Sequence, residues 1–176
     1  MAYITRDDLI NFAKKTPKAG DTLPDDYVNG AMEMVNRYLG YNPEKQTITT
    51  KKRGDDGKLL ELESMPITEI KSASVNGNDL DVSLFCVNKD NLIEFEDLSL
   101  FASDSKYTFT YVAGYEVVPE VIKVTALQLA CLLWESAGGN LAVSSTSFAD
   151  TGSRVFNNFT ADRFLKQIEN YKMIKF

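Results

Sequence analysis

The spacing of apolar residues changes twice along this chain, from helical to alternating and back to helical. In residues 5–15 and 24–39, apolar side chains recur every three or four positions, which is typical of amphipathic helices. Between residues 46 and 112 they alternate with polar residues and are interrupted by turn residues, as in antiparallel strands. Helical spacing returns near Pro119 and again after Thr160. The pattern predicts an α+β protein: a small helical bundle around a central buried helix, with an antiparallel β insertion module.

The predicted central helix begins near Pro119. Pro119 suits the first turn because its fixed φ is helical, and Glu120 then lies favourably at the positive end of the helix dipole. The apolar residues up to Ser136 cover an arc of roughly 220°, against about 100° for an ordinary surface helix. We therefore expect this helix to be buried on most sides, within a core or shared with a subunit interface. It is too short and too often interrupted by charge to span a bilayer, so we expect no membrane association.

A chain of 176 residues fits one domain. We expect a single domain over residues 1–176, with a helical body at about 1–45 and 113–176 and the β insertion at about 46–112. Within the insertion, Gly54-Asp55-Asp56-Gly57 predicts a hairpin between Thr47–Thr50 and Leu59–Leu62. Turns are expected at Asn76–Asp79 and Asn88–Asn91, and further strands at Ile70–Val75, Val82–Val87, Leu92–Glu96 and Tyr107–Val112.

The composition argues against several classes of function. The chain has no histidine, which removes His metal ligands and Ser-His triads, and its two cysteines, Cys86 and Cys131, are expected to be small buried hydrophobes. The common phosphate-binding and nucleophile motifs do not occur in the sequence. A net charge of −6 opposes a dedicated nucleic-acid binder, whose affinity comes largely from cations that neutralise phosphates. We therefore expect a protein that is not an enzyme and has no cofactor or metal.

One basic cluster has two interpretations. Lys51-Lys52-Arg53 together with Lys58 can contact a phosphate backbone, but the more ordinary interpretation is that these residues form the solvated end of a hairpin.

The order of segments carries a family resemblance. Two N-terminal helices end in Tyr38-Leu39-Gly40-Tyr41; the β region ends in the string from Tyr107 to Tyr115; and Val118-Pro119-Glu120-Val121-Ile122 opens the long apolar helix. A Ser- and Thr-rich stretch, residues 143–153, precedes a short last helix. Over essentially its whole length the chain resembles the head–tail connector (adaptor, or head-completion) proteins of long-tailed bacteriophages and prophages. The most specific part is Thr-Tyr-x-Ala-Gly-Tyr followed by the Val-Pro-x-x-Ile helix start.

The resemblance implies a structural function. Such adaptors assemble as a ring, dodecameric in the virion, beneath the portal protein, and they extend the DNA channel toward the tail. The partners it implies are other copies of the chain, the portal, the next neck or tail protein, and DNA that passes through the channel without specific binding. The implied location is the neck of the virion, after synthesis in the cytoplasm of the bacterial host.

Two segments are expected to make these contacts. The apolar C-terminus is too short to bury itself, so we expect it either to fold back on its own domain or to bind the portal through Tyr171, Met173, Ile174 and Phe176. The long polar loop before the last helix is expected to supply a ring interface through Leu141, Val143, Phe148, Val155 and Phe156.

Two rival functions remain open at this stage. Another neck or tail ring protein, such as a tail terminator or tail-completion protein, would bind the tail tube rather than the portal. A small β-based ligand-binding module would remain a monomer.

Overall fold

The computed structural model of the protein describes residues 2–14, 24–88, 90–136, 145–148, 152–155 and 161–173. These residues contain both helices and antiparallel sheets, which confirms the α+β class. They divide into two compact units. The β unit comprises Gly40–Val118 with Met173, and the helical unit comprises Ala2–Leu39 and Pro119–Lys172.

Four α-helices are found among the described residues of the helical unit: α1 (Arg6–Ala13), α2 (Pro24–Leu39), α3 (Glu120–Ser136) and α4 (Ala161–Leu165). A 3-10 helix, Lys166–Tyr171, follows α4 directly. Helix α3 contacts α1, α2 and α4. None of the helices in the described part of the chain is long and apolar enough to cross a membrane.

The N-terminus of α1 is fixed by a capping box. The Thr5 hydroxyl accepts a hydrogen bond from the Asp8 N–H at 3.2 Å, and the Asp8 carboxylate accepts one from the Thr5 N–H at 2.8 Å. On either side of the cap, Ile4 and Leu9 are buried, as expected for a hydrophobic staple.

Helix α3 is buried most completely in its first three turns. Six of its residues are buried: Ile122, Thr125, Ala126, Leu127, Leu129 and Ala130. Toward the C-terminal end the residues from Cys131 to Trp134 are half-buried, and Glu135 is exposed. The wide apolar arc seen in the sequence is therefore enclosed along the first part of the helix and partly exposed along its last turn.

The β unit contains two antiparallel sheets. The larger has four strands in the order β1-β7-β3-β4, and the smaller has three in the order β2-β6-β5. The strands are β1 (Gln46–Arg53), β2 (Leu59–Leu60), β3 (Ile67–Val75), β4 (Asn78–Leu80), β5 (Phe85–Val87), β6 (Ile93–Phe95) and β7 (Lys106–Ala113). In the helical unit, β8 (Ser145–Phe148) and β9 (Gly152–Val155) form a two-stranded hairpin.

The expected hairpin between Thr47–Thr50 and Leu59–Leu62 is wrong. Strand β1 pairs along its whole length with β7, and β2 pairs with β6. The long ladder with β7 pairs eight residues of β1 and places this strand next to the buried Phe109 and Tyr111. Strand β2, in contrast, has only two paired residues. The expected turns are confirmed: Asn76-Gly77 joins β3 to β4, and the segment from Asn88 to Asn91 joins β5 to β6.

An aromatic cluster fills the core of the β unit. Phe101 is fully buried, with its ring centroid 4.6 Å from that of Phe95 and 5.1 Å from that of Tyr107. Phe85 lies 5.0 Å from Phe109 in an edge-to-face arrangement. Such contacts add to the free energy of simple apolar burial. Because these inward positions are apolar, the alternate positions of the same strands form the outer faces of both sheets.

The end of β7 passes very close to the segment before β1. Gly114 has φ +97°, and a β-carbon at this position would lie 2.2 Å from the Glu44 carbonyl oxygen. Its N–H donates to the Pro66 carbonyl at 2.9 Å, while the N–H of Tyr115 donates to the Pro43 carbonyl at 2.8 Å. The Ala-Gly-Tyr part of the string that carried the family resemblance is thus the point where these two segments cross.

Candidate interaction surfaces

Cations gather at one end of the four-stranded sheet. Lys51, Lys52 and Arg53 end β1, and Lys106 begins β7 directly opposite Arg53 in the strand register. Together with Asn76, Gly77, Asp104 and Thr108 they line an open pocket of about 720 Å³. We call these eight residues the basic end.

Hydrogen bonds hold the basic end in place. Asn76 braces the start of β7 twice, because its side-chain oxygen accepts from the Lys106 N–H at 2.9 Å and its own N–H donates to the Lys106 carbonyl at 2.8 Å. The Asp56 carboxylate accepts from the Ser103 N–H at 2.9 Å, and hydrogen bonding to the Ser103 side chain, then to its backbone, holds the pKa of Asp56 below its usual value. The two loops beside the basic end are therefore tied to each other rather than free to move apart.

Within the described residues, no carboxylate lies at ion-pair distance from Lys51, Arg53 or Lys106. Like charges directly opposite each other on neighbouring strands repel, so placing Arg53 against Lys106 costs stability. The basic end therefore favours an anionic partner from outside the chain.

The outer face of the three-stranded sheet has the opposite character. Leu59 pairs with Glu94, and Glu94 pairs with Cys86, so the three side chains share one face. Glu61 follows Leu59 by two positions, just beyond the end of β2, and Glu96 lies close enough to Cys86 for its charge to act on the thiol. Leu84, which ends a 3-10 helix before β5, joins them because its carbonyl accepts from the Glu96 N–H at 2.9 Å. Leu59 and Leu84 remain 41% and 46% exposed. We call these six residues the acidic face.

Cys86 reports on the glutamates of the acidic face. Its Sγ lies 3.5 Å from a Glu94 carboxylate oxygen, to which it donates. Partial burial, followed by hydrogen bonding to Glu94 and the nearby charge of Glu96, raises the pKa of the Cys86 thiol to about 11. At neutral pH the thiol is therefore almost entirely protonated and unreactive.

Replacing both carboxylates, as Glu94→Gln/Glu96→Gln, is expected to speed the alkylation of Cys86 by iodoacetamide at pH 8. Removing the two anions lowers the pKa of the thiol, and each unit of pKa gives about tenfold more thiolate in this range. Because burial remains, we expect an increase of roughly threefold to tenfold, measured by mass spectrometry of the Cys86 peptide. Glu61→Gln is the control and should leave the rate unchanged. Equal rates in all three proteins would contradict the close approach of Glu94 and Glu96 to Cys86.

The predicted portal-binding residues are only partly described. Tyr171 and Met173 are half-buried, while Ile174 and Phe176 lie outside the described residues. Lys172 lies between Tyr171 and Met173 in the sequence. Its ammonium group is 5.1 Å from the centre of the Tyr38 ring, in cation–π range. The described part of this segment therefore packs near the end of α2.

The predicted ring-interface residues lie mostly outside the described residues. This holds for Leu141, Val143 and Phe156. Phe148 ends β8 and Val155 ends β9, on opposite strands of the hairpin, where Phe148 pairs with Gly152 and Val155 with Ser145.

The sequence did not identify all of these surfaces. The sequence indicates the Lys51–Arg53 run, but Lys106 and Asn76 join it only through long-range pairing, and Lys58, which the sequence places near the run, does not line the pocket. The sequence does not indicate the acidic face, because its members come from three short strands and from the residues next to them. Over the described residues, no group of three or more Cys, Asp or Glu side chains is placed to hold a metal ion.

Three solved structures share the fold at very low sequence identity. The neck of an empty GTA particle computed with C6 symmetry matches with a TM-score of 0.65 at 10% identity, over 99% of this chain and 91% of the other. The virion of a native gene transfer agent (GTA) particle matches with a TM-score of 0.66, at the same identity and coverage. The neck of a native GTA particle computed with C12 symmetry matches with a TM-score of 0.62 at 9% identity, over 95% and 89%. At such identities the likeness establishes the fold alone.

The sequence itself gives one family assignment. No curated protein matches it. A family model described as head completion protein matches residues 2–137, which is most of the chain, and confirms the resemblance that the order of segments indicated. The chain therefore belongs to the head completion protein family.

Proposed function

We propose that this protein is a structural subunit of the virion neck that forms a ring beneath the portal, extends the DNA channel and provides a platform for tail attachment. The match to the head completion family over residues 2–137 carries the proposal. The fold shared with neck components of GTA particles, computed with C6 and C12 symmetry, supports a ring of identical copies. In this function the helical body and the β insertion act together as one adaptor domain, with the helices packed around α3, and no catalytic step is involved.

The apolar C-terminal segment is the proposed contact with the portal. Tyr171 and Met173 are half-buried. Ile174 and Phe176, which follow them in the sequence, are proposed to supply apolar side chains for the partner. One way to bind is for the segment to add a strand to an exposed sheet edge, where alternate side chains fill pockets. The ring contact is proposed at the polar loop with its β8–β9 hairpin, through Leu141, Val143, Phe148, Val155 and Phe156.

DNA is proposed to pass through the ring without specific binding. Each copy has a net charge of −6, so a ring repels a duplex over most of its surface at low salt. A channel surface that does not bind phosphates lets the genome pass through the ring.

Mixing the purified protein with its cognate portal is expected to give a stable complex that contains a ring of this protein. Size-exclusion chromatography with light scattering measures the mass of the complex, and electron microscopy shows the ring. A tail terminator would instead bind the tail tube and leave the portal free. A protein that stays monomeric at every concentration and does not bind the portal would contradict the proposal.

The variant Ile174→Ser/Phe176→Ser is expected to lose portal binding while keeping its melting temperature within about 2 °C. The reason is that the proposed partner of these side chains is the portal and not the rest of the chain. Lys175→Ser is the matched control, because it changes the same segment but keeps both apolar residues, and it should bind normally. If the double variant melts far earlier and still binds the portal, the segment belongs to the core.

A further inference from the structure

We infer that the basic end of the β unit docks against the acidic face of the β unit in a neighbouring copy of this chain. The inference rests on the ring proposed above and assigns to it a second pair of contacting surfaces, within the β insertion. The two surfaces differ, so each copy contacts one neighbour through its basic end and the other neighbour through its acidic face. Contacts of this heterologous kind close into a ring or continue as a filament.

The distribution of charge along the chain is the first support. Residues 40–118 contain eight basic residues (Lys and Arg) and fourteen acidic residues (Asp and Glu), a net charge of −6. The rest of the chain contains eleven basic and eleven acidic residues and is neutral. Four of those eight cations lie at the basic end, beside the single carboxylate of Asp104. The β unit is therefore polarised, with one cationic end on an otherwise anionic unit.

The second support is that no ion pair within the described part of the chain neutralises either surface. As described above, Lys51, Arg53 and Lys106 have no ion pair in the described part of the chain. The same holds on the acidic face, where no described lysine or arginine reaches ion-pair distance of Glu61, Glu94 or Glu96. Bringing the two surfaces together relieves the repulsion within each and fixes which face meets which.

The exposed leucines favour a protein partner. Leu59 and Leu84 lie beside the glutamates of the acidic face, so a partner must offer both apolar area and positive charge. Lysine side chains offer both, because their aliphatic stems cover apolar surface while the ammonium groups reach a carboxylate. The basic end of a second copy carries three such lysines.

Duplex DNA is the alternative anionic partner for the basic end, but the charge balance opposes it. Affinity for DNA grows with the number of phosphates that cations neutralise, and this site has only four cations on a unit of net charge −6. DNA would also leave the exposed leucines of the acidic face uncovered.

A charge-swap experiment tests the inference. The basic-end variant is Lys51→Glu/Arg53→Glu/Lys106→Glu, and the acidic-face variant is Glu61→Lys/Glu94→Lys/Glu96→Lys. Alone, each variant presents surfaces of like sign to its neighbours, so its self-association is expected to weaken at least about tenfold. In an equimolar mixture every contact is again between opposite charges, and rings of alternating variants are expected. Light scattering measures the assembled mass, with portal present if the wild type needs it.

A matched control separates the site from net charge. Lys14→Glu/Lys71→Glu/Lys166→Glu reverses three exposed lysines that belong to neither surface and should assemble like the wild type. Circular dichroism checks that every variant is folded. If a reversed variant is not folded, the neutral variants Lys51→Gln/Arg53→Gln/Lys106→Gln and Glu61→Gln/Glu94→Gln/Glu96→Gln replace it, each with a smaller expected weakening.

The outcomes separate this inference from the proposed function. Normal assembly of both reversed variants, or a mixture that fails to assemble, overturns the assigned surfaces while the ring itself stands. A basic-end variant that assembles normally but loses binding to a short DNA duplex assigns the basic end to nucleic acid instead. A wild-type protein that forms no ring, alone or with portal, contradicts the proposed function together with the inference.

Discussion

Replacing Gly114 by alanine is expected to lower the free energy of unfolding by roughly 2–6 kcal/mol. Two costs add at this position. The first is conformational, because residues with a β-carbon rarely adopt a φ of +97°. The second is steric, because the new β-carbon would lie 2.2 Å from the Glu44 carbonyl oxygen, so the segment before β1 must move away. That movement also strains the hydrogen bond from Tyr115 to Pro43. Urea denaturation followed by circular dichroism measures the change.

Gly77→Ala separates the two costs. Gly77 has φ +87°, but no atom lies within 4 Å of the place its β-carbon would occupy. This control therefore carries the conformational cost alone, about 1–2 kcal/mol. Equal destabilisation by the two substitutions would show that the close approach of Glu44 to Gly114 does not matter for stability.

Replacing Phe101 by alanine is expected to cost about 3–5 kcal/mol. Phe101 is fully buried at the centre of the aromatic cluster, so its removal takes away ring contacts with Phe95 and Tyr107 and leaves a cavity between the two sheets of the β unit. The main chain of Phe101 also accepts from the Asp56 N–H at 2.9 Å, so relaxation around the cavity also loosens a loop beside the basic end.

Phe12→Ala is the control for Phe101→Ala. It removes the same side chain from a site that is 43% exposed, and it should cost less than about 1 kcal/mol. A Phe101→Ala protein with nearly unchanged stability would mean that the aromatic cluster does not hold the β unit together.

Local signals in the sequence predicted the elements well. The helix start after Pro119 and the Asn76-Gly77 turn each depend on residues within four positions of one another, and each is found in the structure. The segment from Val82 was less well predicted. Its first three residues form a 3-10 helix, because the Asp81 carboxylate caps the chain by accepting from the Ser83 N–H at 2.9 Å.

Strand partners and surfaces were harder to predict than elements. Nothing near Arg53 in the sequence indicates that Lys106 lies opposite it, since the pairing is decided by how β7 fits between β1 and β3. The run Leu59-Leu60-Glu61-Leu62 contains three leucines, and only the pairing of β2 with β6 decides that Leu60 is buried and Leu59 exposed. The candidate surfaces depend on this long-range register, which periodicity alone does not contain.

The pairing of β1 with β7 also sets the order in which the chain folds. Residues of β1 meet partners that follow them by 53 to 67 positions (106 − 53 and 113 − 46), so a long loop must close before the ladder gains any hydrogen bond. On a ribosome that adds about 5–20 residues per second, β1 waits for roughly 3–13 s before its partner strand has been made. During that interval its backbone is open to pairing with strands of other chains, and the three charges of Lys51, Lys52 and Arg53 discourage such pairing. The cations of the basic end thus protect each new copy from aggregation before it has a sheet to join.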